Sequence, residues 1–93
     1  MTDFIDTLFA TIQDRKVNPK PGSYTNSLFE DGEDKIVQKV GEEAVEVIIA
    51  AKGQGNQRII EESADLMYHF LVMLVEKGLT WDEVCEELER RHK

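Results

Sequence analysis

The sequence predicts an all-α fold, built on two long central helices joined as an antiparallel hairpin. Three observations carry this. Apolar residues recur at helical spacing in each long segment, no segment alternates with the period of two that marks a half-buried strand, and the interruptions fall at clusters of Pro, Gly and Asn. No internal repeat or low-complexity stretch breaks the pattern, and 93 residues make one domain, 1–93.

The first helix is expected from Asp3 to Lys16, with Phe4, Ile5, Leu8, Phe9 and Ile12 as its apolar stripe. Asn18-Pro19-Lys20-Pro21-Gly22 then interrupts it, because proline lacks the donor a helix needs and pushes the preceding residue toward extended backbone. A short helical segment is expected from Ser23-Tyr24-Thr25 through Leu28 and Phe29, ending at Asp31-Gly32. From Glu33 to about Lys52 the stripe is Ile36, Val37, Val40, Ala44, Val47, Ile48 and Ala51, interrupted only by Gly41. A glycine there costs about 1 kcal/mol relative to alanine, so it marks either a close approach or tolerated strain. After the Gly53-Gln54-Gly55-Asn56 turn, a second long helix runs from about Gln57 to Lys77. Ile60, Ala64, Met67, Leu71 and Leu74 form one face, widened by Leu66, Phe70, Met73 and Val75. Gly78 suits the end of that helix. Thr80 with Glu83 reads as a capping box opening a last helix to about Arg90, whose buried face is Trp81, Val84, Cys85 and Leu88.

A chain this short buries only about 60–65% of its extended surface, and such cores are often completed by a partner or a metal. The wide apolar face of the second long helix needs more cover than one copy supplies. A homodimer is therefore expected, two hairpins packing like a four-helix bundle. Cys85 is the single cysteine, so no disulfide forms within the chain, which suits a reducing cytoplasm. The start of the sequence, Met1 to Phe4, shows no secretory signal, and no apolar run reaches the roughly 18–20 residues that span a bilayer. The net charge of −8 argues against nucleic acid or an anionic membrane surface as partner. That charge is unevenly spread: Arg15, Lys16, Lys20, Lys35 and Lys39 precede an acidic stretch from Glu42 to Asp65.

The acidic stretch carries the chemistry. Glu43 and Glu46 are three residues apart, as are Glu62 and Asp65, so each pair shares a helix face. Glu43 and Asp65 are equidistant from Gln54, and so are Glu46 and Glu62. A hairpin turning at Gly53–Gly55 thus sets four carboxylates at two matched levels. Solvated glutamate-rich faces are common, yet these acids interleave with the apolar Ala44, Val47 and Ala64, and Ala50 and Leu66 stand where lysine partners would be. Four like charges so close repel unless they are protonated or neutralised. A hard divalent ion, Mg²⁺ or alternatively Mn²⁺, suits carboxylate oxygens and keeps positions open for phosphate, which implies a polyphosphate substrate. Glu42, one turn from Glu46, is a further ligand, a partner to a ligand or a base for the attacking water.

Glu42-Glu43-x-x-Glu46 followed across a hairpin by Glu62-x-x-Asp65 resembles the motif of the MazG-like, all-α nucleotide pyrophosphohydrolases. That superfamily also includes dimeric dUTPases and the phosphoribosyl-ATP pyrophosphatases of histidine biosynthesis. Ser23-Tyr24-Thr25, Leu28, Gly32, the run Lys35 to Ala44, Ala50-Ala51-Lys52 and the run Glu62 to His69 resemble the last of these, over nearly the whole chain. The resemblance implies Mg²⁺-dependent hydrolysis of phosphoribosyl-ATP between its α- and β-phosphates, giving phosphoribosyl-AMP and pyrophosphate. It also implies that Glu43, Glu46, Glu62 and Asp65 bind metal, with Glu42 as the remaining acid of the motif.

A polyphosphate needs side-chain cations as well. Lys39 lies one turn before Glu43 and Lys35 one turn further back, while Arg15 and Lys16 end the first helix. Ser23, Tyr24 and Thr25 follow the proline break, where hydroxyls and backbone N–H groups can close on a nucleotide; ordinary helix capping competes for Ser23 and Thr25. Tyr68, three residues from Asp65, borders the acids. His69 is four from Asp65, although a lone histidine on a long helix is more often structural. Trp81 and Cys85 read as packing residues. Two other functions compete with the leading one: a house-cleaning pyrophosphohydrolase of nucleoside triphosphates, and a non-catalytic acidic helical interaction module.

Overall fold

The computed structural model describes residues 2–93, with side chains from Phe4 onward; Met1, where the reading of no secretory signal begins, lies outside the described residues. Among the described residues there are five α-helices and no strand: α1 (Thr2–Val17), α2 (Tyr24–Asp31), α3 (Glu33–Gly53), α4 (Asn56–Glu76) and α5 (Trp81–Arg91). Each expected helix is present, with ends shifted by a residue or two, as helix ends commonly are.

The joints follow from local chemistry. Ser23 caps α2, its side chain accepting from the Asn26 amide at 3.3 Å. Asn26 then holds the proline loop closed: its amide group donates to the Arg15 carbonyl at 2.7 Å, and its oxygen accepts from the Lys20 N–H at 2.7 Å. A single residue, Gly32, joins α2 to α3. Its N–H donates back to Leu28 and Phe29 while its carbonyl accepts from Ile36, at a φ of 96° that an L side chain rarely adopts. Gly55 opens α4 in the same way at φ 90°, turning the hairpin where expected. Thr80 and Glu83 form the expected capping box on α5.

The core lies at one end of the hairpin. Phe9 and Ile12 of α1, Leu28 of α2, Ile36 of α3 and Leu71, Val72 and Leu74 of α4 are buried together, with Trp81 and Val84 of α5 packed against them. Ile36 and Val72 are equidistant from Gln54, so α1, α2 and α5 cover the base of the hairpin, far from its turn. Lys16–Glu76 at 2.8 Å and Lys77–Glu33 at 3.1 Å tie the same end together. Toward the turn the stripes read from sequence divide. Of the expected α3 stripe, Ile48 and Ala51 are exposed there, as is Val37 at the base, and Ala50 is buried in place of Ala51; Val45 and Ile49 of α3 and Ile60, Ala64 and Met67 of α4 are exposed as well. Leu88, expected on the buried face of α5, is also exposed, and the other residues of that face, Trp81, Val84 and Cys85, are half-buried, as suits a helix at the rim. The radius of gyration is 14.2 Å, against about 12 Å for a compact chain of this length, consistent with a hairpin that projects beyond its core. No helix among the described residues is long and apolar enough to cross a membrane.

Candidate active site

Packing of α3 against α4 along the hairpin brings acids from both helices together. One carboxylate oxygen each from Glu43, Glu62 and Asp65 lies within 4.8 Å of the others. Glu62 is only 7% exposed, Glu43 is half-buried and Asp65 is open to solvent, so the group runs from the helix interface to the surface. The matched levels read from sequence thus converge, with one exception. Glu46 is exposed and stands outside this trio. Three residues advance a helix by 300°, which leaves Glu46 about 60° round the axis from Glu43, on the outward side.

Two side-chain cations pair with the trio. Arg58, one turn before Glu62, bonds that carboxylate and also Glu61. Lys39, one turn before Glu43, lies 3.5 Å from it and 3.7 Å from Glu42. Burial opposes the charge on Lys39, but Tyr24, Glu43 and Glu42 outweigh it, and its pKa is raised. Glu42 accepts from the Gln38 amide at 2.8 Å. That bond first, and then Lys39 and Lys35, outweigh a small desolvation and hold its carboxyl below the usual range.

The first turn of α2 meets α4 just beyond Asp65. The Tyr24 hydroxyl lies 3.2 Å from His69 Nε2, and His69 Nδ1 lies 2.8 Å from the Asp65 carbonyl. Thr25 and Tyr68 bond through their hydroxyls. Burial pushes the Tyr68 phenol up, so it remains protonated. The Tyr24 and Tyr68 rings are 6.2 Å apart, and His69 meets both edge-on, at 6.1 and 5.1 Å. A hollow of about 620 Å³ opens on the other side of this turn, lined by Lys20, Ser23, Tyr24 and Asn26 among others.

Not every candidate is brought to the acids. Arg15 pairs with Asp14 at 3.3 Å. Lys16 bonds Glu76 and lies over the Phe29 ring, and Glu76 is about 16 Å along α4 from Asp65 at 1.5 Å per residue. Lys35 is exposed and acts on the site only through its field at Glu42. Ser23 is occupied as a cap. Sequence reasoning missed Arg58 and Asn26. The first was legible as an i, i+4 partner of Glu62; the second carries no signal, because its bonds reach back across the proline loop. The Cys85 thiol is pushed up by burial and by Asp82, Asp6 and Glu89, which works against its activation.

The family model for phosphoribosyl-ATP pyrophosphohydrolase matches residues 5–92. The chain belongs to the phosphoribosyl-ATP pyrophosphohydrolase family. It is similar to the phosphoribosyl-ATP pyrophosphatase of Limosilactobacillus fermentum, 53% identical over 94% of this chain and 82% of that one. It is 50% identical to that of Methanocella arvoryzae over the full length of both. A bifunctional histidine-biosynthesis protein of Caldanaerobacter subterraneus is 52% identical over 98% of this chain, which spans only 44% of that longer protein. The enzyme is a phosphoribosyl-ATP diphosphatase of histidine biosynthesis. The resemblance read from Ser23-Tyr24-Thr25 and the Lys39–Ala44 run is borne out, and the house-cleaning and non-catalytic readings give way to it.

Proposed function

We propose that Glu43, Glu62 and Asp65, with Glu46 one turn from Glu43, hold Mg²⁺ and that water there splits phosphoribosyl-ATP between its α- and β-phosphates. One water is consumed, and phosphoribosyl-AMP and pyrophosphate leave. The observation that carries this reading is the convergence of three carboxylates from two helices within 4.8 Å. The donor set fits the ion: all the donors are hard oxygens, and the two cations paired with them are shared with acids outside the group. Mn²⁺ takes the same ligands. When bound, the ion supplies charge for the phosphates and a more acidic water. The chain supplies the rest. Lys39, held protonated beside Glu43, faces the phosphates; Glu42 keeps Lys39 in place through their ion pair.

The exposed apolar residues Val45, Ile48, Ile49, Ile60 and Met67 support a second copy packed on the turn end of the hairpin, completing a four-helix bundle. In this proposal residues 1–93 form one catalytic domain working in the cytoplasm.

Asp65→Asn tests the metal assignment. It should cut pyrophosphate release by roughly 10³-fold while the helical signal is retained. Mg²⁺ should raise the melting temperature of the natural chain and leave that of Asp65→Asn unmoved. Glu46→Gln should cost less, about 10–100-fold, as expected for a residue at the edge of the cluster. Activity of Asp65→Asn within a few-fold of the natural chain would overturn the assignment.

A further inference from the structure

We infer that His69 is a positioning residue: its ring, fixed in one tautomer, latches Tyr24 and the start of α2 to α4 one turn beyond Asp65. The inference rests on the metal assignment above and adds to it a residue outside the carboxylate group. His69 is 6% exposed, and both of its ring nitrogens are engaged. A carbonyl oxygen only accepts, so the proton must be on Nδ1, donated to Asp65. In the neutral ring Nε2 is then an acceptor, and the Tyr24 hydroxyl must donate to it.

Two consequences follow from proton count. With the His69 ring neutral, the one hydroxyl proton of Tyr24 is committed to it. Phosphate oxygens need donors, so Tyr24 cannot serve them while the latch is closed. Its role is to fix α2, not to bind phosphate. Thr25 and Tyr68 hold two protons between them and use one in their mutual bond, which leaves one for a substrate oxygen. The latch therefore places the Thr25–Tyr68 pair relative to the acids. Those acids stand on α3 and α4, whose own packing holds them. Loss of the latch should weaken substrate binding and spare the chemical step.

The test is a double-mutant cycle on steady-state hydrolysis of phosphoribosyl-ATP, with Mg²⁺ half-saturation measured for every variant. Tyr24→Phe and His69→Phe should each raise KM about tenfold, the worth of one buried hydrogen bond, with kcat within twofold. Combined, they should be no worse than either alone, because both remove one bond. His69→Gln keeps an acceptor for the Tyr24 hydroxyl and should recover KM to within about threefold of the natural chain. Mg²⁺ half-saturation should stay constant throughout; a shift there locates the effect at the metal and overturns the latch. Additive effects of the two Phe substitutions, an unchanged KM in Tyr24→Phe, or a His69→Gln as impaired as His69→Phe would each overturn it too. Should His69→Phe fail to fold, the other two decide the matter: a tenfold KM rise in Tyr24→Phe with His69→Gln within threefold of the natural chain supports the latch, and an unchanged KM in the first or a tenfold rise in the second overturns it.

Discussion

The two ends of the α3–α4 hairpin are built on opposite terms. At the base, α4 contributes Leu71, Val72 and Leu74 to a core sealed by α1, α2 and α5. Toward the turn, from Asn56 to Asp65, the one buried side chain of α4 is a carboxylate, Glu62. The helix is continuous, yet one half is stabilised by apolar burial and the other carries repelling acids with its apolar residues in water. The base holds the fold and the turn end holds the proposed metal site. Like charges so close, only partly offset by Lys39 and Arg58, destabilise the segment that bears them, so it must be anchored elsewhere. The anchor begins one turn past Asp65, at Tyr68 and His69.

The sharpest way to break this comparison is to empty a side chain at each end. Leu71→Ala at the base should cost about 3–4 kcal/mol, the range for a fully buried leucine, and leave much of so small a domain unfolded at 37 °C. Ile48→Ala near the turn, where the side chain is 61% exposed, should cost under about 1 kcal/mol in the isolated chain. Denaturant titration of both variants gives the two values. If a second copy covers the turn end, Ile48→Glu should dissociate the dimer, and the variant's melting temperature should lack the concentration dependence expected of the natural chain. Equal costs at the two ends would end the distinction.

A smaller effect is expected from the cation that stands in the acid group. Arg58 pairs with Glu62 and competes with any divalent ion for that carboxylate. Arg58→Ala should therefore tighten Mg²⁺ binding by about three- to tenfold, from added negative potential and a freed ligand. Isothermal titration with Mg²⁺ measures it directly. Weaker binding would mean that Arg58 orients Glu62 for the ion.

Much of this division was legible in the sequence, and the part that was not has a physical reason. Helical periodicity, the proline loop, the capping box and the equidistance of the acids from Gln54 rest on local rules, and the structure follows them. Periodicity tells which residues share a face. It does not tell whether anything covers that face, which is why Ile60, Ala64 and Met67 read like Leu71 and Leu74 and yet are exposed. Glu46 shows the same limit: spacing put it on the right face of α3 but could not resolve a turn of about 60° about the axis. Tyr24 and Thr25 were legible as important and not for their partners, since bonds to Tyr68 and His69 depend on how α2 docks.

Gly41 gives the finest test of what covers the outer face of the hairpin. It is exposed in the middle of α3, between the exposed Val37 and Val45, and a methyl group placed on it meets no atom within 4 Å. Close approach by another part of the chain is thus ruled out as the reason for a glycine here. On propensity alone, Gly41→Ala should stabilise the chain by about 0.5–1 kcal/mol, because alanine loses less backbone freedom in a helix. For a domain of this size that is a rise of about 3–6 °C in melting temperature. If a second copy packs on the hairpin as proposed, the measurement, made at protein concentrations on both sides of its dissociation, also tells where that copy lies. A gain at both places Gly41 outside the contact between copies. A gain only in the dilute sample, reversed when dimers form, would show a second helix crossing at this point, where only a residue without a side chain lets the backbones meet.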